Sequence, residues 1–388
     1  MNQDDPHAGS NGNWHQHDAQ GLLDTIRQAA IKGMGGGGFP TADKLSAALA
    51  WRASNDAGNI QFIANGVACE PGIDADLWII EQAPNEVLQG ALIVARILDT
   101  DVVTLALGPR LLHQSADLTA RWNTLTNPDR VSLHLHPASG RPAAGAERLL
   151  IEAITSTVPS PEQPPASQGY IVHNVTTLWA ISRAIAGAAA SERPVTIGGA
   201  TQWLPIGAPI ATLDSARQCN RDGGFWSSQP LAIDTQVSAR TLALHWISPS
   251  TPAPCIGCGD CASVCPVAID PETLHRIGSQ LPASTPTVSD ALSTHSPISQ
   301  LQQAGLELCI ECGACNAHCP SHIDLLAGFR HSKSRLAVAK DAAFQAQRAS
   351  QRFARHQQRL AERAASAASK RSARLQRTRS WSSEGPQS

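Results

Sequence analysis

Apolar positions along the first half of the chain follow helical and strand spacings in turn. Leu22, Leu23 and Ile26 with Ala29 and Ala30 share one helical face, which predicts a helix from Leu22 to Ile31 that Gly33 ends. Further helices are predicted from Thr41 to about Trp51, at 84–98, 110–126 and 144–155, and from Ile171 to about Ala190. Strands are predicted at Gln61–Asn65, Asp101–Leu107 and Val131–His136. This alternation predicts an α/β domain with a mostly parallel sheet.

The second half of the chain has different patterns. Residues 193–248 contain strand candidates at Val195–Ile197 and Leu231–Ile233, a helical pattern at 208–217 and a Gly223-Gly224 turn, which indicates a small β-grasp-like unit. Residues 331–380 are rich in Ala, Arg and Gln, which favours a solvated helix or disorder. Their large apolar residues fall at irregular intervals, so we expect no continuous apolar stripe.

These patterns predict five regions. They are a disordered leader at 1–19, an α/β domain at 20–190, a small β-grasp-like domain at 191–248, an α-helical cysteine-rich domain at 249–330 and a basic tail at 331–388.

Two cysteine runs dominate the chemistry of the sequence. Both read C-x2-C-x2-C-x3-C-P, the spacing that binds cubane [4Fe–4S] clusters in ferredoxins. In such motifs the first three thiolates hold one cluster and the fourth holds the other. One predicted cluster therefore has Cys255, Cys258, Cys261 and Cys319 as ligands, and the other has Cys309, Cys312, Cys315 and Cys265.

Zinc and disulfides are the alternatives for these cysteines. A zinc site closes with two C-x2-C pairs or with histidines and has no use for a third cysteine at the same spacing. Eight of the ten cysteines lie in the two runs, and no signal peptide is recognisable, so we expect a reducing compartment. Cys219 lies outside both runs and is interpreted as a reduced, buried thiol.

A glycine-rich stretch is the second chemical feature. Gly33, Gly35, Gly36, Gly37 and Gly38 precede Phe39-Pro40-Thr41 and a predicted helix. A helix rather than a strand comes before the glycines, which argues against the ordinary dinucleotide fingerprint. Backbone N–H groups beside a helix N-terminus favour a phosphate, and Lys44 on the first turns of the helix can reach the same anion. A flexible hinge is the alternative interpretation.

Charge is unevenly distributed along the 388 residues, although the formal net charge is only −2. From residue 331 onward, 13 Lys and Arg stand against three acidic residues, a net charge of +10, which leaves −12 for the rest. The basic tail suits anionic lipid or an acidic partner surface. Nucleic acid is a weaker alternative, because aromatic residues are nearly absent between the cations. No apolar run approaches the length needed to span a bilayer.

Together these residues resemble the RnfC (RsxC) family, a peripheral component of the Rnf-type (Rsx-type) ion-translocating electron transport complex. Gly33-Met34-Gly35-Gly36-Gly37-Gly38-Phe39-Pro40-Thr41 is similar to the glycine motif of that family. Asn65-Gly66-Val67-Ala68-Cys69-Glu70-Pro71 and Gly145-Ala146-Glu147 are similar to two further motifs. The aliphatic Met34 and the presence of two cubane motifs favour this family over the related complex I flavoprotein subunit. Because the chain starts near the glycine motif, we expect a short form without the family's usual N-terminal domain.

The resemblance implies a fold, cofactors and a location. The α/β domain would be complex I flavoprotein-like and bind FMN, with NADH as substrate, and the cysteine domain would be a ferredoxin-type 2[4Fe–4S] domain. The chain would be a peripheral subunit on the cytoplasmic side of a bacterial inner membrane, in a translocase that transfers electrons between NADH and ferredoxin. Its partners would be the other subunits of the complex, ferredoxin through the complex, and an anionic membrane surface at the basic tail.

The resemblance also assigns individual residues. Gly35–Gly38 and Lys44 would bind the flavin phosphate, Asn65 and Asn174 would contact the flavin, and Glu147 would lie near the nicotinamide. The chain departs from the family at His173-Asn174-Val175-Thr176-Thr177, where N-N-V-E-T is usual, and at Ala144, where a Tyr is usual. These departures leave two alternatives: a non-catalytic iron–sulfur relay subunit with a degenerate nucleotide site, or a soluble iron–sulfur flavoprotein.

Overall fold

The computed structural model describes most of the chain. The described ranges are 14–55, 58–68, 73–160, 163–212, 224–226, 230–231, 236–247, 251–285 and 287–383. Three parts of the predicted chain lie outside the described residues: most of the leader, the Cys69-Glu70-Pro71 part of the second family motif, and Cys219. The chain divides into two compact units, Met1–Ala268 with Leu308–Asp324, and Ile269–Glu307 with Leu325–Ser388.

The first unit begins with an α/β layer. Its helices are α1 (Ala19–Gln28), α2 (Thr41–Ser54), α3 (Ala75–Gln82), α4 (Pro84–Leu98), α5 (Ser115–Thr124), α6 (Glu147–Thr155) and α7 (Val175–Ile185). Its strands are β1 (Gln61–Gly66), β2 (Val102–Leu107), β3 (Ser132–Pro137) and β4 (Tyr170–Asn174). Trp14, within the predicted leader, is buried in the core of this layer.

The four strands form one parallel sheet in the order β3-β2-β1-β4. This confirms the α/β class predicted from the alternation. One boundary is corrected, since residues 171–174 continue a strand that begins at Tyr170, and the helix begins only at Val175. Asn174 ends the strand and caps the helix by accepting a hydrogen bond from the Thr176 N–H (2.9 Å), so the local chain reversal is set by this residue.

A mixed five-stranded sheet follows. Its strands are β5 (Glu192–Ile197), β6 (Ala200–Pro205), β7 (Gly224–Trp226), β8 (Pro230–Leu231) and β9 (Ala243–Ile247), in the order β6-β5-β9-β7-β8. β5 pairs antiparallel with β6 and parallel with β9. Where a helix is predicted at 208–217, the structure has a 3₁₀ turn at Ile210–Thr212, and residues 213–217 are not described. The sheet has its own small core around Val195, Ile210 and Leu244.

Both cysteine runs belong to the first unit. Each contains one short helix, α8 (Asp260–Ser263) in the first run and α12 (Ala314–Ala317) in the second. The second unit is helical: α9 (Pro271–Gly278), α10 (Val288–Leu292), α11 (Pro297–Gln303) and α13 (Leu325–Ser383). The predicted tail is therefore helical as far as it is described. None of the described helices combines the length and the apolar content that crossing a bilayer requires.

Candidate functional site: a glycine-loop pocket beside a cysteine repeat

The glycine-rich stretch forms a loop that closes on itself. The Gly33 N–H donates to the carbonyl of Phe39 (2.8 Å), and the Gly38 N–H donates to the carbonyl of Gly33 (3.1 Å). By contrast, the N–H groups of Gly35, Gly36 and Gly37 donate to no partner among the described residues. Three backbone donors are thus available at the start of α2, where the helix dipole also favours an anion.

Distant side chains hold this loop in place. The Met34 N–H donates to Thr177 Oγ1 (2.8 Å), and Arg193 Nη2 donates to the Met34 carbonyl (3.0 Å). Arg240 Nε donates to the Gly36 carbonyl (3.0 Å). A Cβ on Gly38, which has φ +67°, would lie 2.8 Å from Arg240 Cδ, so glycine is required there for both conformation and space. Parts of α7 and of the mixed sheet therefore set the loop geometry.

The loop forms one wall of an open pocket. Residues of α2, α3, β1, β4, α6 and α7 and of the loop before α6 contribute to the other walls. Eight of the nine predicted cofactor residues line it, namely Gly33, Gly35, Gly37, Gly38, Lys44, Asn65, Glu147 and Asn174, and Gly36 lies in the same loop. The structure thus brings together residues that the sequence separates by more than a hundred positions.

Lys44, predicted at the flavin phosphate, and Glu147, predicted near the nicotinamide, lie against each other. Lys44 Nζ is 2.7 Å from Glu147 Oε1, an ion pair rather than an aligned hydrogen bond, and it donates to the Val172 carbonyl (2.7 Å). The lysine is well shielded and the carboxylate is about one-third exposed. Each charge is therefore compensated before any ligand arrives.

The two asparagines are also engaged within the protein. Asn65 Nδ2 donates to the Gly145 carbonyl (2.8 Å) and its Oδ1 accepts from the Val67 N–H (3.0 Å), which ties β1 to the loop before α6. Asn174 Nδ2 donates to Asp76 Oδ2 (2.7 Å) while its Oδ1 caps α7. Both side chains shape the pocket wall, whatever contacts they make to a ligand.

Asp76, on α3, is a pocket residue that sequence reasoning missed. It accepts hydrogen bonds from Asn174 and from Thr176 Oγ1 (3.2 Å). Burial raises its pKa to about 6, against the opposing effects of Asn174, the positive charge of Arg193 and Thr176. Burial lowers the pKa of the fully buried Arg193 to about 10, so the arginine keeps its charge at neutral pH. No local pattern marks Asp76, because its partners lie about a hundred residues away.

Two further polar atoms in the pocket wall lack partners. Thr41 Oγ1 and His173 Nε2 are buried and make no hydrogen bond to any described residue. Burial, reinforced by the charge of Lys44, lowers the pKa of His173 well below its usual value, so the ring is neutral at pH 7. Unpaired buried polar atoms are costly, and a polar ligand in the pocket would satisfy them. The pocket therefore suits a ligand with both phosphate and hydrogen-bonding groups.

The cysteine runs form an internal repeat in the backbone as well as in sequence. Gly259 (φ 77°) and Gly313 (φ 74°) occupy the same left-handed position before α8 and α12. The N–H groups of Cys265 and Cys319 then donate across equivalent turns to Ala262 and Asn316, both at 3.2 Å. We call residues 255–265 the first cysteine loop and residues 309–319 the second. The two loops share a backbone geometry because their cysteines have the same spacing.

Backbone contacts join the start of the first loop to the end of the second. The Ala253 N–H donates to the Ser321 carbonyl (2.9 Å), and Ser321 Oγ donates to the Pro254 carbonyl (3.0 Å). Cys255 directly follows Pro254, and Cys319 lies two positions before Ser321. The crossed ligand assignment requires this proximity.

The thiols of the two cysteine loops are gathered together. All eight motif cysteines are reduced in the structure. Burial, together with the nearby Cys309, Cys312 and Cys261, raises the pKa of the Cys315 thiol to about 12. Clustered thiolates repel one another unless a metal centre neutralises them, so this donor set fits an iron–sulfur cluster. Among the described residues, no group of three or more His, Cys, Asp or Glu is arranged to hold a single metal ion.

The second cysteine loop borders the glycine-loop pocket. Ile310, Glu311 and Cys312 of the second cysteine loop line the glycine-loop pocket. The first loop lies in solvent, with Cys255 and Cys258 exposed and Ile256 70% exposed. The loops are equivalent in backbone but different in surroundings.

Comparison with known proteins identifies both parts. The Nuo51 FMN-binding domain family matches residues 26–183, and the 4Fe-4S dicluster domain family matches residues 251–323. These matches confirm the predicted cofactors, FMN and two [4Fe–4S] clusters, and the predicted fold class.

Curated relatives extend the similarity over most of the chain. The C subunit of the ion-translocating oxidoreductase complex of Pasteurella multocida is 29% identical over 353 residues, which cover 86% of this chain and 39% of the relative. The corresponding C subunit of Pseudomonas aeruginosa is 31% identical over 275 residues, 66% of this chain and 34% of the relative. The chain thus spans between about a third and two-fifths of the length of these relatives.

Solved structures agree on the fold. NAD+-reducing [NiFe]-hydrogenase in the H2-reduced state matches with a TM-score of 0.56 and 22% identity, covering 87% of this chain and 66% of that chain. The air-oxidised state of the same kind of enzyme matches with a TM-score of 0.54 and 21% identity, covering 88% of this chain and 69% of that chain.

Proposed function

Because this chain is a homologue of the C subunits of the ion-translocating oxidoreductase complexes, we propose that it is the electron-entry subunit of such a complex. In this proposal it takes electrons from NADH through FMN and delivers them through two [4Fe–4S] clusters. The observation that carries the proposal is the shared wall, where Cys312 of the second cysteine loop lines the pocket that holds the predicted flavin-binding residues.

When bound, FMN accepts a hydride and releases single electrons, which is the chemistry needed between a nicotinamide and one-electron clusters. The chain supplies position and charge. The N–H groups of Gly35, Gly36 and Gly37 and the start of α2 are the proposed phosphate site, and Lys44 is a cation that lines the same pocket. Thr41 and His173 provide buried polar atoms for the remaining hydrogen bonds.

The different exposures of the two cysteine loops support an order of electron transfer along the chain. The second loop is the pocket-side ligand set, and the first loop is the solvent-side set, where an acceptor protein can approach. In the proposed complex that acceptor is another subunit, and ferredoxin is reduced through it. The overall reaction is of the NADH:ferredoxin oxidoreductase type, coupled to ion translocation by the membrane-embedded subunits.

The proposed location follows from the same homology. We place the chain on the cytoplasmic side of the bacterial inner membrane as a peripheral subunit, and we propose that its basic tail contacts the anionic surface of that membrane. The count of 13 basic against three acidic residues after position 330 supports this contact.

A second candidate function is an iron–sulfur relay without its own NADH activity. The Lys44–Glu147 ion pair and the internal hydrogen bonds of Asn65 and Asn174 favour it, because these groups are already satisfied without a ligand. Both candidate functions include the two clusters, and they differ only in whether the pocket binds FMN and accepts electrons from NADH.

Anaerobic reconstitution separates them. We expect about eight irons per chain, retention of added FMN, and bleaching of the cluster absorbance by NADH only when FMN is present. About eight irons that dithionite reduces and NADH does not, with no FMN retained, would establish the relay instead. Fewer than about five irons would contradict both candidates.

A further inference from the structure

The end of α13 is an extended, solvent-exposed helix. Leu336 and Ala339 are buried within the second unit, whereas every residue from Phe344 to Arg377 is exposed. At about 1.5 Å per residue, this exposed length is about 50 Å. Between 345 and 377 it contains nine Lys or Arg residues and a single acidic residue, Glu362.

The cations of this helix lie on one side. At about 100° per residue, eight of the nine fall within an arc of about 100°. They follow one another at intervals of three, four or seven residues and extend over about 44 Å of helix. These eight, which we call the basic stripe, are Arg348, Arg352, Arg355, Arg359, Arg363, Lys370, Arg374 and Arg377.

A second stripe runs along another face. Large apolar residues alone are too sparse to form it, but alanines complete it. The members, which we call the apolar stripe, are Ala346, Phe353, Leu360, Ala364, Ala368 and Leu375, within an arc of about 80°. Phe353, Leu360 and Leu375 are 65%, 44% and 58% exposed. This arc also contains the polar Ser350 and Gln357, and Arg371, whose long side chain can reach outward past its aliphatic stem.

The apolar stripe continues the face of α13 that is already buried. The fully buried Ala339 lies within the same arc two turns before Ala346, and Ala343 and the buried Leu336 lie within about 40° of it. The stripe is therefore an extension of a packing surface, and it remains exposed where the second unit ends.

The charge of the exposed helix favours one class of partner for the two stripes. A second copy of the helix packed on the apolar stripe is disfavoured, because it would bring two helices side by side that each have nine cations and a single acidic residue. A nucleic acid would bind the basic stripe and leave the apolar stripe in water. An anionic bilayer accommodates both stripes, since interfacial helices combine a cationic polar face with an opposite face of Phe, Leu and small residues.

We infer that residues 345–377 lie in the surface plane of an anionic bilayer, with the apolar stripe at the acyl boundary and the basic stripe held by the headgroup potential. This inference rests on the proposed membrane contact of the basic tail and specifies its geometry. It does not depend on FMN, on the clusters or on another subunit.

Vesicle co-sedimentation of the full chain tests the inference. The probes are vesicles of phosphatidylcholine alone and of phosphatidylcholine with phosphatidylglycerol. We expect salt-sensitive binding to the anionic vesicles only, and at least tenfold weaker binding for Arg352→Gln/Arg355→Gln/Arg359→Gln/Arg363→Gln. We also expect weaker binding, by severalfold, for Phe353→Gln/Leu360→Gln, which keeps every charge.

Gln351→Ala/Gln376→Ala is the matched control, because both residues lie on the exposed helix outside the two stripes, and it should bind as the unmodified chain does. Far-UV circular dichroism checks that each variant keeps its helix.

Unchanged binding of the apolar-stripe variant would overturn the in-plane geometry. No binding to anionic vesicles, combined with salt-sensitive retention on polyglutamate-coated beads, would replace lipid by an acidic protein surface. Because no electron donor or other subunit is present, either failure is distinguishable from failure of the electron-entry proposal.

Discussion

The two cysteine loops have the same backbone and different surroundings. Gly259 and Gly313 adopt the same left-handed conformation, and equivalent turns follow each of them. Yet Cys312 lines the glycine-loop pocket, whereas Cys255 and Cys258 are exposed. The spacing of the cysteines determines how a cluster is held, and in the proposed electron path the neighbouring elements determine which cluster receives electrons first and which faces a partner.

The largest expected effect comes from removing one cysteine in each loop. Cys312→Ser and Cys258→Ser should each lower the iron content by about four irons per chain, because each removes a ligand of one cluster. In Cys258→Ser, NADH with FMN should still reduce the remaining pocket-side cluster. In Cys312→Ser it should not reduce the remaining cluster at a comparable rate. Iron analysis and stopped-flow absorbance measure both effects, and equal reduction in the two variants would contradict the assigned order.

The pH dependence of stability can report how strongly the pocket buries Asp76. Its pKa is about 6 in the fold against 3.8 for the unperturbed group, so its contribution to the free energy of unfolding is greatest below pH 3.8 and is lost as the pH rises through 6. At 1.36 kcal/mol per pH unit the loss is at most about 3 kcal/mol, and less where pocket water screens the charge.

Asp76→Asn should therefore remove this decline between pH 4 and pH 8 in urea unfolding curves. Asp74→Asn is the matched control, because Asp74 lies just before the same helix and pairs with the exposed Arg110 (2.5 Å), and it should keep the decline. An Asp76→Asn profile parallel to that of the unmodified chain would show that the pocket does not bury this carboxyl.

The ligand side of the pocket can be probed without disturbing the fold. A Cβ on Gly37 would meet nothing within 4 Å, although this residue lines the pocket. Gly37→Ala should consequently leave the thermal midpoint nearly unchanged and weaken FMN binding by at least tenfold, or about 1.4 kcal/mol, measured by flavin fluorescence quenching.

Gly328→Ala is the matched control for that substitution. Gly328 lies in α13 with open space around its Cα, so the same added methyl group should stabilise the helix slightly and leave FMN binding unchanged. Undiminished FMN affinity in Gly37→Ala would mean that the flavin does not approach this loop.

The smallest expected effect tests the equality of the two loops. Gly259→Ala and Gly313→Ala should each destabilise the protein by about 1 kcal/mol, because an alanine pays the steric cost of the left-handed conformation. Chemical unfolding of the cluster-loaded protein would measure the two values side by side. A clear inequality between them would show that the surroundings strain one loop more than the other.

Much of this molecule was predictable because its signals are local. Strand and helix periodicity predicted the parallel α/β layer, and the glycine motif predicted the pocket loop. The sequence reading failed at Ile171–Asn174, where an apolar run of strand length precedes a helix without a break. It also missed α3 and Asp76, since the partners of that carboxyl come from the end of β4 and from α7.

The sequence by itself determined the cysteine repeat, the glycine-rich loop and the separation of an acidic body from a basic tail, because each depends on residues only a few positions apart. Only the tertiary structure decided how the pocket is held and which cysteine loop borders it. Thr177, Arg193 and Arg240 fix the glycine loop across 143, 159 and 204 residues of chain. Contacts at such separations leave no periodic trace in the sequence, since they depend on how complete elements pack rather than on neighbouring residues.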